Sequence, residues 1–148
     1  MRRNSIMCGM ISALLVGAGS VAAMSPPYPW QNITSVPDGQ SAPFVGSWSM
    51  NLPADKPGVP DISTVTCDHP IRMEAADATH VFYLGPEDRA ADAAVELVAR
   101  DGRTAWEPIA GGPRYSVVWI SPDSFHMHEA DAVSEQDWAQ PLVYERCR

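Results

Sequence analysis

From residue 44 onward the chain is a series of short apolar runs separated by Gly, Pro and Asp, a punctuation that predicts strands and turns. The run at 44–52 alternates Gly46, Trp48 and Met50 on one face with Val45, Ser47 and Ser49 on the other. Lys56-Pro57-Gly58-Val59-Pro60 breaks the pattern, and 62–67, rich in β-branched residues, predicts a second strand that ends at Cys67. Asp68-His69-Pro70 interrupts it. Residues 71–74 continue to a turn around Ala76-Asp77, and 79–84 returns as a largely apolar run suited to a buried strand.

Beyond this point two signals compete. Pro86, Glu87, Asp88 and the alanines after them predict a short helical segment near 86–93, while Asp101-Gly102 predicts a hairpin turn between 95–99 and 103–106. A second hairpin joins 115–120 to 125–128 through Ser121-Pro122-Asp123-Ser124, where Pro122 presets the first central dihedral of the turn. A polar loop, 129–140, leads to a last strand at 142–147. About eight short strands with hairpin connections predict an all-β domain over residues 44–148, a small antiparallel β-barrel or sandwich. Closure would remove the edges that so apolar a sheet would otherwise expose.

The residues ahead of this domain read differently. Met1-Arg2-Arg3-Asn4 is a basic head, 6–18 is uncharged and mostly apolar, and Val21-Ala22-Ala23 supplies small residues for a signal peptidase, so 1–23 is expected to be a signal peptide. A membrane anchor would need about 20 consecutive apolar residues, and Gly9, Ser12, Gly17, Gly19 and Ser20 dilute the stretch. Cys8 would leave with the peptide. Residues 24–43 contain Pro26, Pro27, Pro29, Pro37 and Pro43, which deny the segment both helix and ladder hydrogen bonds and predict an extended arm or linker. Tyr28 and Trp30 are out of place in a solvated spacer and are expected to dock on the domain or on a partner. Asn32-Ile33-Thr34 is a glycosylation sequon, which matters only in a host that glycosylates exported chains.

Export leaves two cysteines, Cys67 and Cys147, and an oxidising compartment predicts a disulfide between them in a periplasmic or secreted protein. Closing a loop of about 80 residues has an upper entropic value of roughly 4.5 kcal/mol. Composition narrows the partners. The whole chain carries a net charge of -8, which becomes about -10 once Arg2 and Arg3 are removed. Nucleic acid and anionic lipid surfaces are therefore poor partners, since phosphate binding needs clustered Lys and Arg.

At Gly46-Ser47-Trp48, on the first strand after an arm, the chain resembles the lipocalin-like (calycin-type) β-barrels, whose opening strand carries a Gly-x-Trp. The resemblance implies that Trp48 lies across the base of a barrel and that Arg146, near the end of the sheet, packs on its ring. Gly46 would then permit a close approach by neighbouring backbone. The chain is shorter than full lipocalins and lacks their mid-sequence Thr-Asp-Tyr, which speaks against a deep ligand cavity. Small exported bacterial barrels, among them inhibitors of secreted metalloproteases that insert an N-terminal arm into the enzyme, are closer in size.

Catalytic chemistry is thinly represented. His126 and His128 share one side of a predicted strand, a spacing that would suit a metal with Glu129 or Asp131 adding oxygen ligands, but two histidines on a solvated strand are the commoner arrangement. Asp68-His69 beside Cys67 does not make an active thiol if that cysteine is oxidised. No nucleophile elbow, phosphate-cradling loop, dinucleotide fingerprint or paired metal-ligand cysteines occur, so neither an enzyme nor a cofactor is expected. Of five tryptophans, Trp48, Trp106 and Trp119 fall in predicted strands, which leaves Trp30 and Trp138, with Tyr28, as candidate partner contacts. The sequence points to an exported, non-catalytic binding module of the cell envelope that takes a small apolar ligand or an envelope or secreted protein. The alternative is an inhibitor of a secreted or periplasmic hydrolase, a protease or a lysozyme.

Overall fold

The computed structural model describes residues 28–52, 65–86, 94–132 and 134–148. Eight antiparallel strands close into a barrel in sequence order: β1 (Gly46–Asn51), β2 (Ile71–Ala75), β3 (His80–Leu84), β4 (Ala94–Arg100), β5 (Arg103–Pro108), β6 (Tyr115–Ser121), β7 (Ser124–Glu129) and β8 (Leu142–Arg146). Each strand pairs with the next, and β8 returns to β1 through Trp48↔Arg146 and Met50↔Tyr144. No open edge remains, which answers the aggregation risk of so many apolar strands.

The alternation read from the sequence sets the inside of this barrel. In β1, Trp48 and Met50 are buried and the residues between them are not. Phe125 and Met127 in β7 obey the same period of two, whereas in β6 Val118 is buried as well as its inward neighbours Val117 and Trp119. Asp101 (φ 52°) and Gly102 (φ 74°) form the β4–β5 turn, and positive φ at both central residues is why an Asp-Gly pair suits it.

Several expectations need correction. Of the strand expected at 62–67, residues 62–64 lie outside the described residues and Val65 makes only a single bridge to Met50. Because Trp48 then pairs with Ile71, residues 66–70 bulge out of the ladder, and Cys67 sits in a turn instead of ending a strand. The helical segment near 86–93 falls almost wholly outside the described residues. The polar loop at 129–140 contains one helical turn, α1 (Glu135–Trp138), whose Ser134 cap accepts a hydrogen bond from the Asp137 amide.

The arm docks on the domain. From Tyr28 to Pro43 the chain packs on the barrel: Ile33 N–H donates to the Trp119 carbonyl at 3.1 Å, Gly39 N–H to Thr104 Oγ1 at 2.9 Å, and Ser41 N–H to the Ala78 carbonyl at 2.9 Å. Val36 joins the buried core, and a short 3-10 turn, Ala42–Phe44, inserts Phe44 beneath Trp48 and Trp119. The described part of this segment thus packs on the domain. Its prolines remove amide donors, while Ile33, Val36 and Phe44 supply the apolar surface that holds it down. Among the described residues, no helix is long and apolar enough to cross a membrane.

Candidate functional site

The two ends of the barrel are built differently. At one end the tight turns 76–79, 101–102 and 122–123 gather, and the arm crosses over them. Phe44, Trp48, Trp119 and Phe125 fill the interior there, with ring centroids 4.9 to 5.9 Å apart in tilted and edge-to-face pairs. Trp48 Nε1 donates to the Phe44 carbonyl at 2.8 Å, so this indole is buried without an orphaned donor.

Arg146 locks this end. Its guanidinium carbon lies 4.2 Å from the Trp48 ring centroid. Nη1 donates to the Val45 carbonyl at 2.7 Å, Nη2 to the Pro43 carbonyl at 2.8 Å and the Pro122 carbonyl at 3.3 Å, and Nε to Asp123 Oδ1 at 3.1 Å. One side chain thereby joins the arm, β1, the β6–β7 turn and β8. Gly46 has a specific reason to be glycine: its φ is +139°, and a Cβ there would sit 2.6 Å from Arg146 Nη1. The neighbour that comes close is a guanidinium and not the backbone.

At the opposite end the same strands open into a cup of about 310 Å³. Met50, Leu52, Val95, Trp106, Met127 and Leu142 supply apolar wall, Pro108, Ala110, Gly111 and Pro113 form part of the rim, and Ile109 beside them is 62% exposed. Tyr83, Tyr115 and Tyr144 place their rings in the same wall. The Tyr83 and Tyr144 hydroxyls are 3.4 Å apart, and Met50↔Tyr144 and Trp106↔Tyr115 are cross-strand neighbours. Burial raises the Tyr83 pKa and raises that of Tyr144 well above the usual phenol value, so both stay protonated across the physiological range. No charged side chain belongs to the described lining.

These tyrosines were missed in the sequence. Their signal is phase: Tyr144 lies two residues before Arg146, Tyr115 two before Val117, and Tyr83 two after Val81, each in step with an inward position. A phenol at such a position puts a polar tip inside an otherwise apolar barrel.

On the outer wall the residues proposed as partner contacts lie together. Trp138, 1% exposed, is stacked between Trp30 (centroids 4.0 Å apart) and His128 (3.7 Å), and its Nε1 donates to the Pro29 carbonyl at 3.2 Å. Tyr28 meets His126 edge-on at 5.1 Å, and the Arg103 guanidinium lies 5.3 Å from the Trp138 centroid. The faces that Trp30 and Trp138 would offer a partner are thus turned toward each other. His128 is buried with both ring nitrogens lacking a hydrogen-bond partner. Burial, with His126 and Arg103 nearby, pushes its pKa down to about 4. His126 is lowered as well, by burial. Among the described residues, no group of three or more His, Cys, Asp or Glu side chains is placed to hold a metal.

Asn32 of the sequon accepts from the Trp119 amide at 2.8 Å and donates to Asp38, so its side chain already serves the fold. A polar groove of about 240 Å³ on the outer wall holds Arg100, Arg103 and Arg114 against Asp101, Glu107 and Asp131. Its charges balance, and Arg100 is paired with Glu107 at 3.0 Å. Cys67 and Cys147 form a disulfide with Cα atoms 5.5 Å apart, and the Cys147 amide donates to the Ser47 carbonyl at 2.9 Å. No protein family, curated protein or solved structure matches the chain.

Proposed function

We propose that the protein is an exported, non-catalytic binding module whose open barrel end takes a small apolar molecule. The observation that carries this reading is the asymmetry of the interior: one end is filled to contact by four aromatic rings, and the other is an apolar cup of about 310 Å³. Ligand pockets begin at about this volume and are lined chiefly by hydrophobic and aromatic side chains with a few polar groups. The cup matches on each count.

Three further points support the reading. The disulfide suits an oxidising compartment, in agreement with the signal-like residues 1–23. The sequential eight-stranded topology, the contact of Arg146 with Trp48 and the closed base are compatible with a lipocalin-like barrel. The alternative, inhibition of a secreted hydrolase, draws in part on the aromatic arm, and the described part of the arm is folded back on the barrel with Trp30 held against Trp138.

The test is titration of the disulfide-bonded protein with N-phenyl-1-naphthylamine, an uncharged probe that fluoresces in apolar surroundings. Saturable binding at one site per chain is expected, with loss of at least tenfold in affinity when Leu142→Arg places a charge in the wall. An unaltered circular dichroism spectrum guards against misfolding of the variant. Absence of saturable binding, or binding indifferent to Leu142→Arg in a folded protein, would overturn the proposal.

A further inference from the structure

The polar groups of the cup define what kind of apolar molecule it takes. Three of the four tyrosines in the chain line this one cavity, and no charged side chain joins them in the described lining. Tyr83 and Tyr144 share one hydrogen between their hydroxyls at 3.4 Å, which leaves the second hydrogen of the pair without an acceptor in that contact. Tyr115, on the opposite side of Trp106 from β4, adds a third hydroxyl to the same wall. A phenol hydrogen that faces the open cup without a protein acceptor is left to water, so an occupant that accepts a hydrogen bond replaces that water at little cost.

We infer that the cup selects uncharged molecules of about two fused rings that bear one hydrogen-bond acceptor, a ketone, ester or quinone oxygen, and that the tyrosine hydroxyls are its recognition groups. This rests on the reading of the cup as a binding site and adds the chemistry of the occupant. Size follows from volume. A cavity of about 150 Å³ holds a single benzene ring, and this one is roughly twice as large. Charge follows from the described lining, in which a carboxylate would meet only neutral phenols as partners, and desolvation of an uncompensated ion costs more than such hydrogen bonds return. A ligand cation meets the same objection, since no carboxylate of the described wall faces it.

The acceptor requirement separates this site from a plain greasy pocket. Burial keeps the Tyr83 and Tyr144 phenols in the donor form at neutral and mildly alkaline pH. A hydrocarbon of the same shape would fill the cup and offer no acceptor to the pair's second hydrogen. Discrimination by hydrogen bonds left unmade is larger than discrimination by one methylene of fit.

The experiment compares naphthalene, 2-acetylnaphthalene and 2-naphthoate by calorimetric titration and by competition against N-phenyl-1-naphthylamine. One to two net hydrogen bonds predict that 2-acetylnaphthalene binds about 5- to 30-fold tighter than naphthalene, and 2-naphthoate weaker than either at pH 7.5. Tyr83→Phe combined with Tyr115→Phe should shrink the ketone's advantage to what the remaining Tyr144 hydroxyl supplies, while leaving naphthalene within about twofold, because the rings and the cup's volume are kept. Tyr144→Phe is more deeply buried and is read only alongside a matching circular dichroism spectrum. Equal affinity for naphthalene and its ketone would overturn the inference and leave the apolar cup intact. Tightest binding by the naphthoate would also overturn it. Failure of all three compounds and of the fluorescent probe would remove both the inference and the reading beneath it.

Discussion

The two ends of this barrel share the same eight strands, yet one is a plug and the other a cup. At the closed end Phe44, Trp48, Trp119 and Phe125 meet ring to ring, and the arm passes beneath them. At the open end Met50, Met127 and Leu142 occupy equivalent inward positions and line the cup, with smaller aliphatic side chains in place of the four rings. A strand presents an inward residue every second position, and barrel diameter is nearly fixed by strand number. What differs is side-chain size and whether a further segment crosses the opening. Stability is thereby concentrated where the arm and Arg146 tie elements together, and binding is left to the end with fewer such ties.

The comparison is broken most directly at the plug. Trp48→Ala should lose about 3–5 kcal/mol, read from urea midpoints of the oxidised protein, because it removes a buried ring and the surface on which Arg146 rests. A cost below about 1 kcal/mol would mean that the closed end is not the stable one. His128 sharpens the comparison by asking how firmly the beginning of the arm is anchored. Its neutral form is favoured in the fold, so an unfolded chain takes up a proton below about pH 6.5 that the native protein refuses until about pH 4. Stability should therefore be complete above pH 6.5 and decline as pH falls through that window, by on the order of 3 kcal/mol, with no further contribution below it. The difference between the native protein and His128→Phe, measured from pH 7 to pH 4, isolates this slope from the carboxylates. At the rim, Ile109→Ser should change stability by no more than about 0.5 kcal/mol, because the side chain is already 62% exposed. A larger loss there would show the rim to be packed more firmly than its exposure implies.

Much of the strand order was legible because alternation and turn chemistry agree in this chain. Asp101-Gly102 and Pro122-Asp123 each lie where strands reverse, and Trp48, Trp106 and Trp119 all point inward. The arm was legible only in part, because Tyr28 and Trp30 marked it as a docking segment while much of its packing is carried by Ile33, Val36 and Phe44, which are scattered singly among the prolines. The bulge at 66–70 was hidden because a β-branched run looks the same whether it continues a ladder or leaves it. The α1 turn has a capping serine, but four residues give periodicity too little length to register. The cup was least visible. Tyr83, Tyr115 and Tyr144 belong to three strands, and only the register between strands brings their hydroxyls to one wall.

The position of the disulfide has a consequence for how the barrel opens. β1 pairs with β2 on one side and β8 on the other, and Cys67 lies just before β2 while Cys147 follows β8. The covalent ring therefore encloses β2 to β8 and excludes β1, which is held between its neighbours by hydrogen bonds and side-chain packing alone. If β1 and the arm were to peel away together, the two strands they leave would remain leashed to each other across the gap. The vacated slot would keep its width, and the displaced strand would find it again faster than a second molecule could. The bond thus acts less as a clasp on the finished barrel than as a keeper of the doorway through which its first strand must return.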